Sequence, residues 1–118
     1  MPAEPLYRGA DLDARLASLP GWEAAGDAIR RQYVTDGWST TLMLVNMIGF
    51  LCEAADHHPD LAVSWGKVEV RLNTHTAGGV TDKDLEMAQA IEQQALWRPA
   101  PGALAGTPKK WVRGGEGR

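Results

Sequence analysis

Two runs of alternating residues limit the fold more than any other feature of this sequence. Apolar residues occupy positions 61, 63 and 65, and then positions 68, 70 and 72, with mostly small or polar residues between them. Because successive side chains of a strand point to opposite faces, each run predicts a strand with one buried and one solvated face. Gly66 and Lys67 between the runs are compatible with a hairpin turn or with a bulge in one long strand.

The remaining periodic segments predict helices and a further strand. Leucines at helical spacing mark a helix over 11–19, an apolar helix runs from about 39 to 55, and a capped helix begins at Thr81 and reaches Ala95. Residues 28–34 favour a strand. The order α-β-α-β-β-α predicts an α+β fold, in which an antiparallel sheet carries helices on one face.

A change of composition divides the chain. At 118 residues it is long enough for one hydrophobic core, and we assign residues 1–96 to a single domain. From Trp97 onward, proline and glycine are frequent, so residues 97–118 are predicted to form an irregular tail. Within it, Leu104, Trp111 and Val112 are candidate docking points.

Charge and composition exclude several classes of function. The net charge of -3 argues against a nucleic-acid-binding surface, which normally carries a basic patch. The apolar stretch 42–51 is far below the roughly 20 residues that span a bilayer, and the N-terminus has no signal-peptide pattern. The single cysteine, Cys52, fits a reducing compartment. We therefore expect a cytoplasmic protein with no nucleic-acid or membrane partner.

The three histidines lie close together in the sequence, at His57, His58 and His75, with Glu53 and Asp84 on either side. Imidazole has an unperturbed pKa of about 6.5, so it can donate and accept protons near neutral pH. Neighbouring carboxylates orient and tune such rings. If the chain has a catalytic centre, the sequence predicts it here.

Three interpretations of this cluster remain open from the residues alone. A zinc site is one, but adjacent histidines without a nearby cysteine pair are a weak zinc signal, and we predict no metal. A purely structural role, with each imidazole bonded to a helix end, is the second. The third is a site for acid–base chemistry or for an anionic or heterocyclic ligand, which we favour. Trp22 and Trp65 would supply a stacking wall, although core packing is the commoner role for tryptophan.

Several of these motifs together resemble the pterin-4a-carbinolamine dehydratase family. The resemblance rests on Glu53-x-x-Asp-His-His-Pro59, on Thr74-His75-x-x-x-Gly-x-Thr-x-x-Asp84 and on Pro20-Gly-Trp22, and it covers residues 11 to 95. It implies a four-stranded antiparallel sheet with three helices on one side. It also implies a homo-oligomer, dimeric or tetrameric, and chemistry that needs neither a metal nor an organic cofactor.

The resemblance also implies a role for each site residue. The family removes water from 4a-hydroxytetrahydropterin to give the quinonoid dihydropterin. By analogy, His57 and His75 would exchange the protons, and His58 would help to hold the pterin substrate. Glu53 and Asp84 would support the imidazoles. The residues expected to contact the ligand are Trp22, Pro59 and Thr74.

Some residues depart from the usual family pattern. Trp65-Gly66 stands where the family usually has Tyr-Asn, an Asp36-Gly-Trp38 corner precedes the long helix, and the tail extends past the usual end. This combination is similar to a dehydratase-like branch associated with α-carboxysomes. That branch implies a binding protein that assists assembly of Rubisco through its large subunit, at or near the carboxysome. The alternative hypothesis is an active pterin dehydratase.

Overall fold

The predicted helices and strands occur in the predicted order, and two short strands that the periodicity does not predict are added, one after the first helix and one in the tail. A computed structural model describes residues 5–115 of the chain. The helices are α1 (Gly9–Leu16), α2 (Trp38–Ala55) and α3 (Asp82–Ala95), and the strands are β1 (Glu23–Ala25), β2 (Ala28–Val34), β3 (Asp60–Ser64), β4 (Lys67–Leu72) and β5 (Arg113–Gly114). The predicted α+β fold is confirmed, although the sheet has five strands and not the four expected.

The sheet is antiparallel and places the two alternating runs side by side. Its strand order is β1-β2-β4-β3, and β5 also pairs with β2. Ser64 pairs with Lys67, so Trp65 and Gly66 form the turn of a tight hairpin and no bulge is present. The unpredicted strand β5 pairs with Tyr33 and Val34. It is two residues long and has no alternation that a sequence pattern could reveal.

The core lies between the sheet and the helices. Odd-numbered residues of β2 and even-numbered residues of β4 are buried, as the alternation requires. The buried face predicted for residues 61–65 is wrong, because β3 lies at the edge of the sheet, where Leu61 is half-buried and Val63 and Trp65 are 41% and 65% exposed. α2 and α3 pack against each other, and α1 adds a leucine to the same cluster. The almost fully buried core side chains include Leu12, Ile29, Tyr33, Leu44, Ile48, Val68, Val70, Leu72 and Ile91.

α2 is more apolar than its burial requires. By length and composition it would suffice to cross a membrane, with 22% of the segment buried inside the fold. Core helices of globular proteins meet the same criterion, and the buried stripe of α2 contributes Leu44, Ile48 and Cys52 to the core. On its outer side Met43 is 69% exposed and Phe50 71% exposed. This outer side is therefore a large uncovered apolar surface.

The tail folds back onto the domain and is more ordered than the sequence predicts. After an irregular stretch, Pro108–Lys110 forms a 3-10 helix and Arg113–Gly114 forms β5. The Arg98 guanidinium lies 4.9 Å from the centre of the Trp111 ring, and it also donates to the Val112 carbonyl. Arg113 makes two hydrogen bonds of 3.0 Å to the carboxylate of Asp36. Trp111 and Val112 are thus docking points, whereas Leu104 is 67% exposed.

A glycine at the turn of the tail allows this docking, and its replacement gives a test. Gly106 has φ +81°, and an added Cβ would lie 2.7 Å from Cζ2 of Trp111. We expect Gly106→Ala to weaken tail docking by about 1–3 kcal/mol, because a left-handed backbone costs about that much for other residues. The Gly115 amide, which donates to the Gln32 carbonyl, should exchange its hydrogen roughly tenfold faster or more.

The matched control for this prediction is Gly102→Ala. The nearest atom to a Cβ at Gly102 is 3.9 Å away, and the backbone there is not left-handed. Hydrogen exchange of Gly115 should remain as in the unmodified chain. Equal protection in both variants would mean that Gly106 does not hold the tail in place.

Candidate active site

The centre of the site is a histidine–carboxylate pair between two helix ends. His57 follows the C-terminus of α2, and Asp84 lies in the first turn of α3. Nε2 of His57 is 2.6 Å from Oδ1 of Asp84, whose side chain is fully buried. Asp84 also completes a capping box, because its Oδ2 accepts a 2.9 Å bond from the Thr81 amide. One carboxylate therefore both caps α3 and holds the imidazole.

A chain of hydroxyl groups fixes the direction of these hydrogen bonds. The Lys83 amide donates to the Thr81 hydroxyl, which is 2.7 Å from the Thr74 hydroxyl. Thr74 in turn donates a 2.8 Å bond to Oδ2 of Asp84. An ionised carboxylate only accepts, so His57 Nε2 is assigned as the donor to Asp84. Nδ1 of His57 then keeps its lone pair and can act as a base.

The end of α2 is shaped so that His57 turns toward α3. Asp56 adopts a left-handed conformation with φ 54°, which is uncommon for a residue other than glycine. The His57 amide then bonds back to the Cys52 carbonyl at 3.1 Å, and the Asp56 amide to the Glu53 carbonyl at 3.2 Å. This is the usual arrangement of a helix that ends in a left-handed residue.

Substitutions at Asp56 test that arrangement. We expect Asp56→Gly to change the free energy of unfolding by less than about 1 kcal/mol, because glycine adopts φ > 0 without strain. Asp56→Val should lose about 1–2 kcal/mol, because a branched Cβ clashes in that conformation. Urea unfolding of both variants measures the difference. Equal stabilities of the two variants would contradict the role assigned to the left-handed backbone.

The three imidazoles border one open cavity of about 350 Å³. It lies between the end of α2 and the loop that follows β4. His75 is exposed, and its ring has no hydrogen-bond partner within residues 5–115, so both nitrogens are accessible to a ligand or to water. The lining residues are Asp56, His57, His58, Pro59, Asp60, Asn73, Thr74, His75, Thr76 and Lys83.

His58 and Glu53 form an exposed pair at the rim of this cavity. Nε2 of His58 is 2.9 Å from Oε1 of Glu53, with 56% and 82% of the two side chains exposed. Exposed ion pairs are worth no more than about 1 kcal/mol, so this contact orients His58 only weakly. Asp84, which holds His57, is fully buried, so the orientation of His57 is much more strongly fixed than that of His58.

Most of the site residues predicted from the sequence come together here, and Trp22 does not. Its indole is buried, and Nε1 donates a 3.0 Å bond to Glu92, beside a separate cavity next to β2. Thr74 lies at the cavity, but its buried hydroxyl bonds to Asp84. Trp65, 65% exposed at the hairpin turn, is not part of the cavity lining. Its indole therefore does not obstruct the histidine cavity.

Lys83 and Asn73 also line the cavity, and sequence reasoning did not select them. Lys83 stands next to Asp84 in the first turn of α3. The predicted capping box, which fixes the start of α3, could therefore have indicated that Lys83 lies at the cavity. Asn73 ends the alternation of β4 directly before Thr74 and His75. Both residues add polar groups to the ligand-facing wall.

This arrangement is suited to moving protons on a bound ligand. The His57 ring is oriented by a buried carboxylate, and His75 is a second imidazole that lines the same cavity. Within residues 5–115, His, Cys, Asp and Glu side chains do not form a group of three that could hold a metal ion. The buried thiol of Cys52 has its pKa raised to about 11 by burial, so it is not a nucleophile near neutral pH.

Comparison with known proteins gives a consistent set of relatives. Residues 5–94 match the family model described as Pterin 4 alpha carbinolamine dehydratase. A protein of Aquifex aeolicus named "Putative pterin-4-alpha-carbinolamine dehydratase" is 45% identical over 70% of this chain and 84% of its own length. A protein of Thermosynechococcus vestitus with the same name is 40% identical over 74% of this chain and 92% of its own.

Among solved structures, a transcriptional coactivator/pterin dehydratase from Brucella melitensis has a similar fold. The TM-score is 0.70 at 28% sequence identity, and the match covers 75% of this chain and 96% of that protein. The family match ends at residue 94, so the whole tail, 97–118, lies outside it.

Proposed function

The chain belongs to the pterin 4 alpha carbinolamine dehydratase family, and from this premise we propose that it dehydrates 4a-hydroxytetrahydropterins. The observation that carries the proposal is the pair formed by His57 and the buried Asp84, at a cavity that His75 also lines. The proposed substrate is a flat heterocycle, and the cavity is of the size that small-molecule sites have.

The reaction needs one base and one acid, and the cavity offers both. Nδ1 of His57 would take the proton from N5 of the pterin while the C4a–O bond breaks. Protonated His75 would give its proton to the departing 4a-hydroxyl, which leaves as water. The product is the quinonoid dihydropterin, and no electrons are gained or lost. His57 then releases its extra proton to solvent through the open cavity, and His75 takes one up from solvent, which restores both imidazoles for the next turnover.

Turnover by the purified full-length chain tests the proposal. The substrate is generated in the cuvette by a pterin-dependent hydroxylase, and its loss is followed by ultraviolet absorbance. We expect decay well above the uncatalysed rate, and no acceleration by the heat-unfolded protein. Decay at the uncatalysed rate with correctly folded protein would refute dehydratase function.

A second function, assistance in Rubisco assembly at the α-carboxysome, is favoured by a different observation. Large apolar side chains remain uncovered on several elements, including Phe50 of α2, Trp65 of the hairpin, and Trp97 and Leu104 of the tail. Exposed apolar surface of this extent is typical of proteins that bind other proteins. The partner we propose for this role is the Rubisco large subunit, met in the cytoplasm.

Co-expression tests the assembly role directly. Rubisco subunits are produced with and without this chain, and the assembled enzyme is quantified on native gels. We expect more assembled Rubisco with the full chain, and less benefit from a variant that ends after Leu96. Equal yields with and without the protein would exclude the role, and this outcome is independent of dehydratase turnover.

We also propose that the protein is a homo-oligomer, a dimer or a tetramer. The outer side of α2 supports this, since Leu42 and Phe50 present apolar surface to solvent. Light scattering coupled to size exclusion measures the mass. A mass of one chain, 12.8 kDa, at micromolar concentration would contradict the proposal.

A further inference from the structure

A groove lies between α2, the end of α3 and the tail, apart from the histidine cavity. Its volume is about 320 Å³, and it shares no lining residue with that cavity. Met43 and Met47 come from α2, and the indoles of Trp97 and Trp111 stand on the side of the tail. The lining residues are Thr40, Met43, Leu44, Met47, Gln94, Ala95, Trp97, Arg98, Lys110, Trp111 and Val112. Methionine and tryptophan side chains are typical of surfaces that bind other proteins.

The charges at this groove all have one sign. Arg98 and Lys110 line it, the lining includes no carboxylate, and Lys109 is exposed directly beside Lys110. The hydrogen bonds of Arg98 go to the carbonyls of Trp97 and Val112 and to no acidic side chain in the described part of the chain. The chain as a whole carries a net charge of -3, so this basic rim is a local feature. It favours a ligand with negative charge.

The walls of the groove are held in place by the same contacts that dock the tail on the domain. Arg98 packs on the Trp111 ring, and the paired hydrogen bonds between Arg113 and Asp36 anchor the tail on the far side. Trp97, in contrast, is 59% exposed at the opening. Because these contacts already hold the apolar wall of the groove in place beside the exposed Trp97, less conformational entropy is lost when a side chain binds there.

We propose that this groove binds a short segment of another protein, in which a bulky apolar side chain is flanked by aspartate or glutamate. The apolar side chain would fill the space between Met47 and Trp97, and the carboxylates would pair with Arg98 and Lys110. The proposal goes beyond both proposed functions, because it requires neither dehydratase turnover nor Rubisco as the partner. The family match does not cover the segment after residue 94, and the proposal assigns a function to that segment.

Selection from a random peptide library tests the chemistry of the partner. A phage library of 12-residue peptides is selected on the immobilised full-length chain, with counter-selection on the Trp97→Ser/Lys110→Glu variant. We expect enriched peptides that carry Phe, Leu or Trp between acidic residues. The best peptide should bind in fluorescence polarisation, and Lys110→Glu should weaken its binding by about tenfold or more, since a charge pair is replaced by repulsion.

Matched variants away from the groove supply the controls. Trp65→Ser removes an indole of similar exposure, and Arg8→Glu reverses an exposed charge near α1. Neither should change the affinity for the selected peptide by more than about twofold. Enrichment of neutral or basic peptides, or no enrichment, would overturn the proposal. A lower oligomeric mass of Trp97→Ser/Lys110→Glu by light scattering would also overturn it, because a second copy would then occupy the groove.

Discussion

Replacing His57 by alanine should lower dehydratase turnover by about 10²–10⁴-fold, the usual contribution of a general acid or base. The expectation follows from the 2.6 Å contact with Asp84, which orients the ring and leaves Nδ1 free to accept a proton. Substrate binding should change less, because the cavity keeps its other walls. Turnover number and KM, measured separately for wild type and variant, distinguish a lost catalytic group from a lost binding contact.

His58→Ala is the matched control for this prediction. It removes the neighbouring imidazole, whose only described partner is the exposed Glu53. We expect mainly a rise in KM and a fall in turnover number of less than about tenfold. Urea unfolding of both variants checks that the fold is intact, because His57→Ala leaves Oδ1 of Asp84 without its partner. Equal turnover of His57→Ala and wild type would disprove the role of His57 as base.

Replacing Glu92 by alanine should cost about 3–5 kcal/mol of folding free energy, because it removes the carboxylate that pairs with a buried guanidinium. Glu92 accepts hydrogen bonds from Arg31 at 3.0 and 2.8 Å, from the Tyr33 hydroxyl at 2.6 Å and from the Trp22 indole at 3.0 Å. Arg31 is only 2% exposed. Burial and the hydrogen bond to Glu92 both raise the pKa of Tyr33, so its hydroxyl remains a donor. Denaturant titration measures the loss, with a fall in Tm of roughly 10 °C or more.

The double variant Arg31→Met/Glu92→Leu separates the buried charge from simple loss of contacts. It removes both charges and keeps apolar volume, so it should recover a large part of the stability lost in Glu92→Ala. Trp22 and Tyr33 still lack an acceptor, which makes full recovery unexpected. If Glu92→Ala costs less than about 1 kcal/mol, the network contributes little to folding.

Local patterns were enough to predict most of the fold and the position of the histidine cluster. The alternation in β4 and the capping box of α3 depend on neighbouring residues, so the sequence alone is enough to predict them. The alternation in β3 predicted the strand but not its exposure, which depends on its place at the edge of the sheet. The Asp56-His-His58-Pro motif at the end of α2 and the Thr74-His75 pair after β4 place the imidazoles at one edge of the sheet for the same reason. The capping box also pointed to Asp84, although it did not reveal that the same carboxylate holds His57.

Contacts between distant residues could not be predicted in this way. The bond between Trp22 and Glu92 joins residues 70 positions apart, so it depends on how α3 crosses β2. Both the residue pattern and the resemblance suggested Trp22 as a pocket residue. The docking of the tail could not be predicted for the same reason. Contacts of Arg98, Trp111 and Arg113 order a proline- and glycine-rich segment, and composition does not reveal them.

The position of β5 has a consequence for how copies of this chain can associate. β1 covers residues 28–30 of β2 and β5 covers residues 33–34 on the same side, and these strands are only three and two residues long. On the opposite side, the five-residue β3 has no neighbouring strand within residues 5–115. A sheet with an open edge strand on both sides can pair with other sheets on both sides and form fibres. A sheet with one open edge strand can pair with only one other sheet. If two copies pair through β3, the short β1 and β5 form the remaining edges of the joined sheet, so we expect such pairing to stop at two chains.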